Sequence, residues 1–168
     1  MKRLYLLRHA KSSWKEPGLS DHDRPLAGRG RRAANAIARH LREQGIEPQL
    51  VLCSPARRAR ETLEPIEPAL GRRAVRVEPE LYGASVGALL EQLRAVRDDL
   101  ESVMLVGHNP GLQQLALALA RPAPELDELE AKYPTAALVT LAFPGPSWRD
   151  LDRDTADLVG FVRPRDLP

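Results

Sequence analysis

Histidine and arginine stand together where apolar runs break off. Leu4-Tyr5-Leu6-Leu7 ends in Arg8-His9, and Val103-Met104-Leu105-Val106 ends in Gly107-His108. A third run, Leu50-Val51-Leu52-Cys53, ends in Ser54 and an arginine-rich turn, Pro55-Ala56-Arg57-Arg58-Ala59-Arg60. A neutral imidazole can attack phosphorus and form a phospho-enzyme. Guanidinium forks can hold the phosphoryl oxygens and offset the charge that develops during transfer. Neighbouring guanidinium groups also disfavour imidazolium, so they should keep His9 neutral and nucleophilic near pH 7. One histidine at a strand end is ordinarily a buried imidazole with a satisfied hydrogen bond. Two such ends, Arg8-His9 and Gly107-His108, together point instead to a phosphoryl site.

The elements that must bring these groups together are legible from periodicity. The short apolar runs at 4–7, 50–53 and 103–106 read as buried strands. Residues 12–25 are polar, with Pro17, Gly18 and Pro25, and read as a loop. From 27 to 44, Ala33, Ala34, Ile37, Ala38 and Leu41 recur at helical spacing, and Gly45 and Pro48 close the helix. Pro55 suits the first turn of a second helix running to about Leu63. Residues 74–77 read as a strand, and helices follow at 86–96, 112–119 and, shorter, 126–132. Residues 137–143 and 157–162 close the chain as two strands with no helix between them, so they should pair antiparallel at an edge. Strands alternating with helices imply a three-layer α/β/α sandwich on a central, mostly parallel sheet. Sites in such sheets form at the carboxyl ends of the strands, where Arg8-His9, Cys53-Ser54 and Gly107-His108 fall.

The bulk composition allows this and narrows the class. The 168 residues suit a single domain spanning 1–168, 43% apolar and 29% charged, with aromatics at only 4%. The apolar part of the N-terminus covers only Leu4 to Leu7, short of the ~7–15 residues of a signal peptide. No run approaches the ~20 residues of a membrane span. The expectation is a cytoplasmic protein that does not engage membrane. A lone cysteine, Cys53, excludes an internal disulfide and a multi-cysteine metal site. The net charge is +2, but arginines cluster at 29–32, 57–60 and 72–76. Most of these should be solvated surface.

Several colinear stretches resemble one family. Leu6-Leu7-Arg8-His9-Ala10-Lys11-Ser12-Ser13-Trp14 resembles the signature of the histidine phosphatase superfamily, with its phosphoglycerate mutase-like fold. The Ala-Lys-Ser-Ser-Trp that follows His9 is similar to the SixA-type phosphohistidine phosphatases. Asp23-Arg24-Pro25-Leu26 with Arg29-Gly30, Ser54-Pro55-Ala56-Arg57-Arg58-Ala59-Arg60-Glu61-Thr62, Val106-Gly107-His108-Asn109-Pro110-Gly111 and Tyr133-Pro134-Thr135-Ala136-Ala137 continue the resemblance in order. It implies that His9 is phosphorylated, that Arg8 and Arg58 bind the phosphoryl group, and that His108 binds it and stabilises the transition state. Arg57 and Arg60 then flank the site. Ser12 sits where relatives place a hydroxyl on the substrate phosphate. Lys15 stands where many relatives carry Asn after the tryptophan. Ester-cleaving members place an acid near the third strand to protonate the leaving oxygen; Glu78 and Glu80 are the candidates, with Glu80 preferred. A phosphohistidine leaving group needs less help, because its nitrogen is readily protonated. Asp21, His22 and Asp23 lie in a loop able to cover the pocket, although a solvated loop is the simpler expectation. His40 should be exposed.

Competing patterns are weaker. A cysteine phosphatase needs arginine six positions after the cysteine, and position 59 is Ala. Gly28-Arg29-Gly30-Arg31-Arg32-Ala33 fits a dinucleotide fingerprint formally, but Asp21-His22-Asp23-Arg24-Pro25 precedes it instead of an apolar strand. No phosphate loop ending in Gly-Lys-Ser/Thr is present, and no His/carboxylate cluster points to a catalytic metal or another cofactor. A nucleic-acid-binding module would use the arginines but lacks aromatics for base stacking. The expectation is a metal-independent phosphatase acting on phosphohistidine in a protein. A broad small-molecule phosphomonoesterase is the alternative.

Overall fold

The computed structural model describes residues 1–71 and 74–168; Arg72 and Arg73 of the third arginine cluster lie outside the described residues. Among the described residues six strands form one sheet: β1 (Lys2–Arg8), β2 (Leu50–Cys53), β3 (Ala74–Val77), β4 (Ser102–Gly107), β5 (Leu138–Phe143) and β6 (Asp157–Val162). Their order is β3-β2-β4-β1-β5-β6. The first four run parallel, and β5 and β6 add an antiparallel edge, as their missing crossover helix requires. Helices α1 (Gly28–Gln44), α2 (Arg57–Leu63), α3 (Val86–Arg94), α4 (Gly111–Leu119) and α5 (Leu126–Ala131) complete the α/β sandwich. No helix among the described residues is long and apolar enough to cross a membrane.

Period-two alternation divides the core between the two faces of the sheet. Leu4, Leu6, Leu52, Leu105 and Leu141 pack with Leu89 and Leu93 of α3 and Leu112 and Leu115 of α4. Tyr5, Leu7, Val51, Cys53, Met104 and Val106 pack with Ala34, Ile37, Ala38 and Leu41 of α1 and with Ala59 and Leu63 of α2. Each fully buried leucine contributes ~1.5–3 kcal/mol against leaving it in water. Central strands buried on both faces explain the unbroken apolar runs.

Two helix ends shift by two residues from the periodicity. Helix α2 starts at Arg57, because Ala56 stays extended at ψ 138° and gives its N–H to Ser54 Oγ at 3.3 Å. Helix α3 ends at Arg94 with Ala95 as its cap, although Val96 remains buried. Helix α1 ends where Gly45 turns left-handed at φ 64°. The Gly45 and Ile46 N–H groups then take the Arg42 and Leu41 carbonyls.

Register decides which side chains meet. Arg8 lies opposite Gly107 in the β1–β4 ladder, and Cys53 lies opposite Val106 in the β2–β4 ladder. The chain continues this alignment one step further: His9 N donates to Gly107 O at 3.0 Å and Ser54 N to Val106 O at 3.0 Å. His9, Ser54 and His108 therefore emerge side by side at the carboxyl edge. A slip of one residue would send Arg8 to the other face.

Candidate active site

The nucleophile loop is fixed from three sides. Ala136 N donates to His9 O at 3.0 Å, and Ala27 N donates to Lys11 O at 2.9 Å. Buried Thr62 accepts from Ala10 N at 2.9 Å and donates to Arg58 O at 2.6 Å, tying the loop to α2. Helix α1 comes so close that a Cβ on Gly30 would stand 2.1 Å from Lys11 O. The glycine that resembled part of a dinucleotide fingerprint is thus needed for helix-to-loop contact.

A cavity of about 440 Å³ opens at this edge, lined by Arg8, His9, Ser12, Asp21, Arg24, Arg58, Tyr82 and His108 among others. His9 is 8% exposed, and its ring lies 5.2 Å from that of His108. His9 Nδ1 is 2.7 Å from Ala10 O. A carbonyl only accepts, so Nδ1 carries the proton and Nε2 keeps its lone pair. Burial first, opposed by the Ala10 hydrogen bond and then aided by His108, Arg58 and Arg8, holds the His9 pKa down to about 3. Desolvation thus contributes more to the neutral ring than the arginines the sequence suggested.

His108 is also held neutral, at about 4, by burial first and then by Arg58. Arg58 Nη2 is 3.4 Å from its Nδ1, so Nδ1 accepts and the opposite Nε2–H donates to Ser54 Oγ at 2.7 Å. Arg8 Nη1 donates to Tyr133 O at 2.9 Å. Arg58 donates to the Asp21 carbonyl at 2.7 Å and to Asp21 Oδ2 at 3.0 Å. The Nε atoms of Arg8 and Arg58 are buried and have no hydrogen-bond partner among the described residues. Both guanidinium side chains line the cavity and suit an arriving anion. Ser12 Oγ accepts from Arg24 Nη1 at 2.7 Å, leaving its own O–H free to donate.

The structure thus gathers Arg8, His9, Ser12, Arg58 and His108 around one space. Glu80 does not join them, a correction to the sequence expectation. The turn at Pro79–Leu81 buries only Leu81 and leaves Glu80 exposed. Glu78 pairs with Arg76 at 3.7 Å and does not line the cavity. The carboxylate that does is Asp21, from the loop expected to be solvated. Tyr82 O–H donates to its Oδ2 at 2.6 Å, and Arg24 Nε to its Oδ1 at 3.2 Å. These bonds, led by Tyr82, hold Asp21 at about 2, so it is an anion seated on Arg58 and not a proton donor near pH 7. Nothing in the polar stretch around Asp21 has a period that would announce this; the hint was its place in a loop able to cover the pocket. Tyr82 and Thr62 carried no signal of their own.

Cys53 is fully buried, and desolvation pushes its thiol up to about 12, so no thiolate forms near neutral pH. Among the described residues no group of three His, Cys, Asp or Glu side chains is arranged to hold a metal ion.

Comparison with known proteins agrees with this architecture. Residues 4–144 match the histidine phosphatase superfamily, branch 1. An uncharacterized protein of Mycobacterium tuberculosis is 39% identical over 163 residues, covering 95% of this chain and 100% of its own. The solved structure designated phosphohistidine phosphatase SixA from Nakamurella multipartitia is 32% identical with a TM-score of 0.85, covering 97% of this chain and 96% of its own. One designated likewise from Agrobacterium tumefaciens is 31% identical with a TM-score of 0.83, covering 96% and 97%. The protein histidine phosphatase SixA in complex with tungstate shares the fold at 24% identity, with a TM-score of 0.80 and 98% of each chain covered. With the family matched across most of its length, the chain belongs to the histidine phosphatase superfamily, in its SixA-type group, and is a phosphatase.

Proposed function

We propose that this phosphatase removes the phosphoryl group from phosphohistidine on another protein, through a phosphohistidine formed on its own His9. The observation that carries the mechanism is the His9 tautomer: Nδ1–H is committed to Ala10 O, and Nε2 makes no hydrogen bond to any described residue. Nε2 attacks phosphorus, the P–N bond of the substrate breaks, and the substrate imidazole departs neutral once its other ring nitrogen carries a proton. The phosphorylated His9 ring then bears a positive charge, shared through Nδ1–H with the Ala10 carbonyl. That charge makes phosphorus a better electrophile. Water attacks phosphorus, inorganic phosphate leaves, and His9 is restored.

Arg8 and Arg58 offer guanidinium N–H donors to the phosphoryl oxygens, and Ser12 adds its hydroxyl. A phosphoryl dianion offsets the two guanidinium charges, which favours a proton on His108 Nδ1 and turns that ring into a further donor. The lining supports a nitrogen leaving group over an alkoxide. Its carboxylate, Asp21, is ionised and engaged with Tyr82 and Arg58, and neither Glu78 nor Glu80 reaches the cavity.

The test is a side-by-side assay of a phosphohistidine-bearing protein domain and a panel of small phosphate esters, with His9→Ala as control. Faster turnover of phosphohistidine, abolished in His9→Ala, is expected. Faster turnover of the esters would replace this substrate with a small phosphomonoester. Substantial activity in His9→Ala would overturn the mechanism.

A further inference from the structure

A second cavity, of about 520 Å³, lies beside the first. Two residues, Lys11 and Thr135, line both. Lys11 is two residues beyond His9, so their Cα atoms are at most ~7 Å apart. The walls come from the first turns of α1, from residues 132–135 and from residues 163–165. Five of its nine lining residues are cationic, namely Lys11, Arg29, Lys132, Arg163 and Arg165, and none is acidic. That is a dense patch for a chain whose net charge is only +2. Arg163 pairs with Asp166 at 3.0 Å and with Glu128 at 3.8 Å. The other four form no ion pair among the described residues. The catalytic chemistry uses none of these five side chains.

We infer that this basic cavity docks an acidic segment flanking the phosphohistidine of the protein substrate. The inference rests on the phosphohistidine reading and names the partner's chemistry. A protein segment fits better than a small anion for a physical reason. Lys11, Arg29, Lys132 and Arg165 are all exposed, so their charges sit on long, solvated arms spread across an open wall. A small-molecule subsite places a few buried polar groups convergently. A spread of unpaired cations instead matches an acidic surface, raising encounter rate and orienting the partner. The catalytic cavity's own lining adds an aromatic contact: Trp14 is 71% exposed, with the Arg24 guanidinium 3.5 Å from its ring centre. Tryptophan is enriched at protein-binding interfaces. A segment entering over Thr135 would place its phosphohistidine at His9 and its neighbouring carboxylates among the cations.

Two synthetic peptides of equal length test this, each carrying one phosphohistidine made with phosphoramidate. One has Asp and Glu on its flanks, the other Ser and Gln. Free phosphoramidate serves as the small substrate. Wild-type enzyme should prefer the acidic peptide about tenfold in kcat/KM. The preference should shrink as salt rises from 50 to 300 mM. Arg29→Glu combined with Arg165→Glu should abolish it, mainly through KM, with phosphoramidate hydrolysis unchanged; Arg29→Gln with Arg165→Gln should fall between. Equal rates on both peptides would overturn the docking site and leave the phosphohistidine reading standing. Hydrolysis of esters but of neither peptide would overturn both. Loss of phosphoramidate hydrolysis in the charge-reversed enzyme would also overturn docking, because it would put those arginines in the chemistry.

Discussion

Replacing Thr62 by Val isolates the link between the nucleophile loop and α2. Thr62 is fully buried and nearly isosteric with valine, so packing volume is kept and only the hydroxyl is lost. That hydroxyl accepts from Ala10 N at 2.9 Å and donates to Arg58 O at 2.6 Å. Without it the Ala10 N–H is buried with no acceptor, costing ~1–3 kcal/mol. For a domain of this size that corresponds to a fall in Tm of roughly 2–12 °C. The same bond sets the spacing between His9, one residue before Ala10, and the helix turn that carries Arg58. Misplacement of reacting groups by about 1 Å costs ~100-fold, so kcat should drop by about 10–100-fold. Thr62→Ser provides the contrast. It loses a buried methyl, worth ~1 kcal/mol, but keeps both hydrogen bonds. Its kcat should stay within about twofold of wild type, by analogy with other conservative core changes. Thermal denaturation and steady-state kinetics on phosphoramidate give both numbers. A valine variant as stable as wild type, or one matching the serine variant in kcat, would refute the account of how the site is held.

Three further perturbations probe the same geometry. His9 and His108 are held at about 3 and about 4, against ~6.5 in an unfolded chain. On acidification the unfolded state binds protons first, so stability should fall from pH 6.5 towards 4, at up to ~1.4 kcal/mol per pH unit for each histidine. Urea denaturation at pH 7 and pH 5 measures it, and His9→Gln should flatten the slope; equal stability at both pH values would contradict the burial argument. Asp21→Asn removes the anion that competes for Arg58, so inhibition by inorganic phosphate should tighten by about threefold to tenfold. Weaker inhibition would mean that Asp21 chiefly positions Arg58. Gly30→Ala forces a Cβ against Lys11 O and should cost ~1–3 kcal/mol together with kcat, read by denaturation and turnover. A change below ~0.5 kcal/mol would show that α1 has room to move.

Much of this protein is legible in its linear sequence. Apolar runs of four residues bounded by histidine, serine or glycine mark strands buried on both faces, because a central parallel strand has no polar side to show. The helical spacing of Ala34, Ile37, Ala38 and Leu41 marks α1 for a similar reason. Arg8, His9, Arg58 and His108 stand out because each follows such an element at its carboxyl end. Periodicity says nothing where the chain is irregular. The loop carrying Asp21 has no repeat, so its carboxylate looked solvated, yet the fold sets it on Arg58 and Tyr82. Glu80 suited a general acid by its place near β3, but the turn at Pro79–Leu81 buries Leu81 and leaves Glu80 exposed, outside the cavity lining. The proton on His9 Nδ1 depends on one carbonyl 2.7 Å away, a distance no spacing rule contains. The basic cavity joins α1, residues 132–135 and the C-terminal turn, segments separated by about 30 to 100 positions. Local residue order determined the elements and the reactive groups they carry. Strand register and loop packing decided which of those groups share a space, because only long-range contacts set distances between side chains far apart in the chain.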